Sequence, residues 1–203
     1  MTFNSSTTLQ SNFYPGMVDN HYELFHHQDE LKVLNSGNVF NFDQLPQSIL
    51  NHIECLLENE EETLDFLENN DLPVAASSNT EVFAYCRFGG LDFTPDIDIS
   101  CVDGNQGVIK IQDGEFWDCP MSDTCAGRGI VCKMPLFNGE RLTAQEVDVM
   151  KLLKTNLTNE AIAYELAIPL GSYHLIKKNL YKKLGNLQTR HEVTAIASSL
   201  NIH

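Results

Sequence analysis

The chain is poor in positive charge: 13 Lys and Arg stand against 28 Asp and Glu in 203 residues, a formal net charge of −15. Over the whole chain, that balance argues against contact with a polyanion such as nucleic acid. Long apolar runs are also missing. No stretch approaches the roughly 18 consecutive apolar residues of a membrane-spanning helix, so no membrane contact is expected. Met1-Thr2-Phe3-Asn4-Ser5-Ser6 has no basic patch leading into an apolar segment. A secretory signal is therefore not expected, and the cytoplasm is. The phosphate-binding glycine loop, the G-x-S-x-G elbow and the H-E-x-x-H helix are all absent, so the chain is expected not to be an enzyme. Asp96-Ile97-Asp98 with Asp103 falls short of a calcium loop, because Cys101 occupies the position that needs glycine and no glutamate closes it. There is no internal repeat at a solenoid period.

What is present fits an ordinary globular protein of one or two domains: 42% of residues are hydrophobic and 20% charged. The charge is unevenly spread. Residues 139–203 hold eight basic and six acidic residues, a net of +2, and residues 1–138 hold five and twenty-two, a net of −17. Such asymmetry points to two modules with different partners, one of which can approach nucleic acid although the average cannot.

Residues 1–20 are polar, without apolar periodicity, and read as a mobile tail. Leu31–Leu34 and Val39–Phe42 flank the turn-forming Asn35-Ser36-Gly37-Asn38, the pattern of a hairpin. Pro46 opens a helix in which Ile49, Ile53, Leu56 and Leu57 recur at helical spacing. An acidic run, Glu58 with Glu60–Glu62, is a solvated face, and Leu64 and Leu67 continue a shorter helical piece. Asp71–Asn79 is a linker by composition. Glu81–Phe88 and Val108–Ile111 read as strands. Residues 112–138 are rich in Gly, Cys and Pro with almost no periodicity, so something other than a core is expected to order them. His26-His27 reads as a surface pair.

The last sixty residues read as four short helices. Thr143-Ala144-Gln145-Glu146 is a capping box, in which the threonine hydroxyl and the glutamate satisfy each other's backbone donors, and Val147, Met150, Leu152 and Leu153 follow as an apolar face. Thr158 caps a second helix with Ile162, Ala163 and Leu166, and Pro169 breaks it. A third spans about 172–184, ending at Gly185-Asn186. Thr189-Arg190-His191-Glu192 is a second capping box, opening a fourth helix with Val193, Ile196, Ala197 and Leu200. On the third helix, Tyr173, Ile176, Leu180 and Leu184 share a core-facing stripe. Gly171, Leu175, Lys178 and Lys182 lie opposite, with His174, Lys177 and Lys183 flanking. A basic outer face on a helix that follows a short helix and a tight turn suits insertion in a major groove; the alternative is a solvated lysine surface.

Leu142-Thr143, Glu146, Leu152-Leu153, Leu157-Thr158-Asn159, Ile162-Ala163, Leu166, Ile168, Asn179-Leu180, Lys183-Leu184-Gly185, Arg190 and Glu192 keep register across these helices without an insertion. In this the segment from about 140 to 202 resembles the LuxR/GerE-type helix-turn-helix domain. The resemblance implies DNA binding, commonly as a dimer through the fourth helix. It implies base contacts from His174, Leu175 and Lys178, and phosphate contacts from Thr158, Asn159, Ser172, Lys177 and Lys182. The chain departs from the pattern at Pro169, where a capping serine is usual, and at His174 and Ile176, in place of lysine and histidine. Gln145 also departs, standing where arginine is common. These departures imply weaker binding or a different site. Leu175 is suited to a thymine methyl, and His174 to a phosphate when protonated. Residues 1–138 resemble neither a phosphorylatable receiver nor a small-ligand sensor.

All six cysteines lie in that N-terminal part. Cys119, Cys125 and Cys132, at C-x5-C-x6-C spacing in the glycine-rich stretch, could join a distant thiolate in a tetrahedral zinc site that would order the loop. Cys86 is favoured as fourth ligand, Cys101 is the other candidate, and Cys55 is a bystander. The same four thiolates would suit an iron–sulfur cluster, and reduced cysteines without metal are the third option. The expected architecture is α+β: a tail (1–20), an acidic cysteine-bearing module of short strands and helices (21–138), and an all-α four-helix helix-turn-helix domain (139–203). The expected function is a sequence-specific transcription regulator with a structural zinc site. Its expected partners are double-stranded DNA, a second copy and the transcription machinery. The alternative is a protein-interaction adaptor whose helix-turn-helix docks protein instead of DNA.

Overall fold

The computed structural model describes residues 13–102 and 105–203, of which 100–102 and 105–107 are described by their backbone alone. Of the expected tail, residues 1–12 lie outside the described residues. The chain divides into two compact units, one holding residues up to 61 with 73–113, the other 62–72 with 114–203.

The first unit begins with an antiparallel meander of β1 (Glu23–His27), β2 (Glu30–Asn35) and β3 (Asn38–Asn41), with Leu24 opposite Val33 and Leu34 opposite Val39. The second turn is the expected one, Ser36-Gly37, both at positive φ as a two-residue hairpin requires. The first hairpin carries no such sequence signal. Its turn is Gln28-Asp29, at φ 51° and 65°, with neither Gly nor Asn to announce it, so β1 is a strand the pattern did not predict. Leu24, Leu31 and Val33 point into the core. After a short 3-10 turn, α1 (Gln47–Glu58) starts with Pro46 at its N-cap and buries Ile49, Ile53 and Leu57. Next comes α2 (Glu61–Asn69), which beyond Glu61 belongs to the second unit.

Residues 81–88 are helical rather than a strand. In α3 (Asn79–Arg87) the Ser78 hydroxyl caps the first turn by accepting from the Glu81 N–H at 3.2 Å. Val82, Phe83 and Tyr85 favour strands intrinsically, but the helix buries Phe83, Ala84 and Arg87 together, and tertiary packing overrides propensity. The Arg87 guanidinium forks onto both Glu60 carboxylate oxygens and lies 4.7 Å over the Phe83 ring. β4 (Ile97–Val102) and β5 (Asn105–Ile111) pair antiparallel, and Tyr22 and Ile97 exchange backbone hydrogen bonds of 3.0 and 3.1 Å that join this pair to the start of the meander.

Glu23 and Asp96 are buried where β1 meets the loop that precedes β4, and His26 is half-buried nearby. Asp96 accepts the Leu24 N–H at 2.7 Å, and one Glu23 oxygen accepts the Asp92 N–H at 2.9 Å. The other Glu23 oxygen has no partner among the described residues, and burial pushes its carboxyl up to about 8. His26, expected at the surface, instead packs its ring 4.1 Å from that of Tyr85 and donates from Nε2 to the Tyr85 carbonyl at 3.0 Å. Burial lowers it to about 4.

In the second unit a small hairpin, β6 (Leu136–Phe137) with β7 (Glu140–Arg141), leads into four helices: α4 (Ala144–Leu153), α5 (Asn159–Glu165), α6 (Leu170–Lys183) and α7 (Arg190–Ser199). Both capping boxes form, Thr143 with Glu146 and Thr189 with Glu192, and Thr158 caps α5. Val147, Met150, Ile162, Tyr173, Leu180 and Val193 are fully buried between the helices. Arg190, the first residue of α7, donates to the carbonyls of Leu153 (2.7 Å), Leu157 (2.8 Å), Leu152 (3.2 Å) and Thr155. One side chain thus satisfies the end of α4 and the turn after it.

The glycine- and cysteine-rich stretch is ordered by docking. Phe116 and Met134 join the helical core. Lys151 of α4 pairs with Asp118 at 2.7 Å, Arg128 pairs with Asp148 at 2.6 Å, and the His203 N–H donates to Asp118 at 2.9 Å. Val131 is fully buried, and Gly127 packs so closely on Phe66 and Leu72 that a Cβ would meet either at 3.2 Å. Thr63 of α2 donates to the Ile130 carbonyl at 3.2 Å.

Candidate nucleic-acid interface

The residues expected to meet DNA lie on α5 and α6. Proline at the N-cap of α6 provides no side-chain acceptor for the first turn. Tyr173, Leu180 and Leu184 face the core with Ile176 half-buried, which turns Ser172, His174, Leu175, Lys178 and Lys182 to solvent. Leu175 is 60% exposed, a large apolar side chain held outward on the face that carries Lys178. Thr158 is exposed at the N-cap of α5, its hydroxyl accepting the Ala161 N–H at 3.3 Å.

The lysines of α6 divide by environment. Lys178 and Lys182 are exposed. Lys177 is half-buried and donates to the Asn159 side-chain oxygen at 3.1 Å, while the Tyr173 hydroxyl donates to the same oxygen at 3.0 Å. Its ammonium lies 5.9 and 5.4 Å from the ring centroids of Tyr173 and Tyr181. Burial, and then the nearby Arg190, lower its affinity for a proton. Lys183 turns back to α4, donating to the Arg141 carbonyl at 2.6 Å and to Glu146 at 2.9 Å. Burial works against the Glu146 carboxylate, but the Thr143 N–H and Lys183 outweigh it and hold the group below its ordinary range. Two of the four lysines on this helix therefore brace α6 against its neighbours. The Asn159–Lys177 link bridges two helices, so no local sequence signal gives it away.

The border of the exposed face is not uniformly basic. Glu160, in the first turn of α5, is held ionised below its ordinary range by its own backbone N–H, then by the Thr158 hydroxyl and, more weakly, by His174. An anion thus stands within electrostatic reach of His174. Sequence patterning also missed Tyr164, which projects from α5 at 83% exposure.

The expected zinc site does not form, and with it the iron–sulfur alternative falls. Among the described residues, no three His, Cys, Asp or Glu side chains are grouped to hold a metal ion. Cys86 lies on α3 in the first unit, whereas Cys119, Cys125 and Cys132 lie in the docked loop of the second. The Cys101 side chain lies outside the described residues. Cys55, Cys86, Cys119, Cys125 and Cys132 are thiols and not disulfides. Burial pushes the Cys119 thiol above its ordinary range; the Met121 backbone N–H pulls it down, and Cys125, Cys132 and Asp118 add to the rise. Cys132 Sγ accepts the Gly129 N–H at 3.3 Å. Docking on α2 and α4, and not a metal, orders this loop.

Among the described residues, no helix is long and apolar enough to cross a membrane. Residues 140–199, under a third of the chain, match the model of a family described as bacterial regulatory proteins, luxR family (GerE). The C-terminal helices are therefore a LuxR/GerE-type helix-turn-helix domain, and domains of this type are non-catalytic DNA-binding modules. No curated protein and no solved structure matches the chain.

Proposed function

With a DNA-binding type of domain established at its C-terminal end, we propose that the protein is a sequence-specific transcription regulator of the cytoplasm, reading double-stranded DNA through α6. The match of residues 140–199 to a family of bacterial regulatory proteins carries this reading. The side chains turned outward support it. His174, Leu175 and Lys178 would meet base edges, with Leu175 on a thymine methyl, and Thr158, Ser172 and Lys182 would meet phosphates. Asn159 and Lys177 serve indirectly, by fixing α5 against α6. A second copy would join through α7, whose exposed Ala195, Ser198 and Ser199 are small enough for close approach. Two half-sites about one helical turn apart follow from that arrangement. The bound dimer would act on the transcription machinery.

Selection from a random duplex pool with the full chain, followed by salt-dependent titration, tests this. The Lys178→Ala variant should bind the selected duplex about tenfold more weakly and lower the slope of log K against log salt by about one. Lys177→Ala should leave that slope unchanged. A pool with no enriched sequence at low salt removes the DNA reading. The outward Tyr164 and Leu175 would then favour the second reading, an adaptor that docks a protein on the same helices.

A further inference from the structure

The first unit exposes an apolar patch that neither its own packing nor the proposed DNA contact uses. Two segments build it. A turn from Tyr14 to Met17, closed by a 3.1 Å hydrogen bond from the Met17 N–H to the Tyr14 carbonyl, presents Met17 and Val18 at 42% and 70% exposure. Phe13, at 50%, immediately precedes the turn in the chain. The second segment presents Leu91 and Phe93, at 43% and 66%. The rings of Tyr14 and Phe93 stack at 5.0 Å and 12°, which joins the two segments into one surface.

The turn beneath is firmly built. Gly16 sits at φ +77°, where a Cβ would meet the Leu34 carbonyl oxygen at 2.3 Å. Its N–H donates to Asp19 at 2.8 Å, and its carbonyl accepts the Gly37 N–H at 2.7 Å. Five large apolar side chains held outward on two segments joined by a ring stack are more than the scatter of single exposed residues on an ordinary surface, and such patches mark interaction sites.

Charge decides which partner fits. Asp19 follows Val18 and Asp92 lies between Leu91 and Phe93 in the chain, and the unit as a whole carries fifteen acidic residues against three basic. Of those three, Arg87 is buried against Glu60 and Lys32 is held by Glu30 and Asn41. A second copy would bring the same net −12 to the contact, and nucleic acid or an anionic lipid surface would be repelled as strongly. We propose that the patch of Phe13, Tyr14, Met17, Val18, Leu91 and Phe93 docks a protein surface with an apolar centre and a basic rim. The apolar residues supply the affinity and the acidic surroundings select the partner. The site stands whether or not α6 reads DNA.

The test uses the full chain and a labelled synthetic amphipathic helix of lysine and leucine, with polylysine as the charge-only reference and a glutamate–leucine helix as the charge-reversed one. The lysine–leucine helix binds, and Phe93→Ser and Val18→Ser each weaken it about tenfold. Both variants leave polylysine binding as it was, because neither changes the charge. Val18 makes no ring stack, so its substitution reports on docking even if Phe93→Ser disturbs Tyr14. Equal affinity of the lysine–leucine helix for all three proteins overturns the proposal, as does preference for the glutamate–leucine helix. Sedimentation showing a concentration-dependent dimer that Phe93→Ser abolishes would assign the patch to a second copy. A many-fold gain in peptide affinity on removing residues 1–12 would assign it to the chain's own N-terminus. Either result overturns a basic protein partner.

Discussion

Glu23 is a carboxyl that folding holds in its protonated form, with one oxygen on the Asp92 N–H and the other buried without a partner among the described residues. Its folded value of about 8 lies above the unfolded one. The stability it contributes is therefore fully present below the ordinary carboxylate range and is lost as pH rises through about 8. Glu23→Gln keeps the shape and the acceptor but cannot ionise. Its urea midpoint should match the parent near pH 4 and exceed it increasingly toward pH 8, by an amount on the order of 3 kcal/mol. A constant difference across that range would mean that Glu23 ionises as readily folded as unfolded. Nothing in the sequence marks this residue. Glutamate in a polar stretch is ordinarily exposed, and its burial follows from the β1–β2 hairpin, whose Gln28-Asp29 turn gives no sign of itself. The same concealment leaves His26, expected at the surface, half-buried against Tyr85.

At the scale of the element, the helices that announced themselves did so through local chemistry. Thr143 with Glu146 and Thr189 with Glu192 lie three residues apart and bond each other in the structure as their spacing predicts. Residues 81–88 read as a strand because Val82, Phe83 and Tyr85 favour strands locally, while the deciding interactions, Arg87 with Glu60 and Phe83 in the core, join positions far apart in sequence. Arg190 sits between these cases: visible as part of a capping box, but with a role that only the fold discloses. Arg190→Ala should leave four carbonyls around the end of α4 without their donor and lower unfolding free energy by about 2–4 kcal/mol. Arg190→Lys, with a single ammonium in place of a planar fork, should recover only part of that. Gly171 in α6 points the other way. A Cβ there meets nothing within 4 Å, so Gly171→Ala should stabilise the helix by about 0.5–1 kcal/mol in thermal melts.

Across the whole molecule, the family-matched segment and the compact unit that contains it differ in extent. Phe116 and Met134 enter the helical core, and Asp118 and Arg128 pair with α4, from a stretch that precedes residue 140. A fragment of 140–203 should therefore unfold more easily than one of 114–203, by roughly 3 kcal/mol, as judged by denaturant titration of the two side by side. Equal midpoints would mean that the docked loop adds nothing to the helices. Composition could expose the loop's lack of a core of its own. It could not reveal that the loop shares one, because the partner positions lie tens of residues away in the chain.

The same docking changes the electrostatics. Residues 139–203 alone are net +2, but the unit as packed, with 62–72 and 114–138 included, holds ten basic and thirteen acidic residues and is net −3. On the proposed role, this bears on how a target is found. A reader with no net positive charge is not drawn toward the duplex from a distance, and association falls toward the roughly 10⁵–10⁶ M⁻¹s⁻¹ of unsteered encounters. Holding few counterion-releasing contacts on random sequence, it would slide little and leave quickly, so the search proceeds by repeated short visits from solution. Residence would lengthen only where the side chains of α6 find their matching bases.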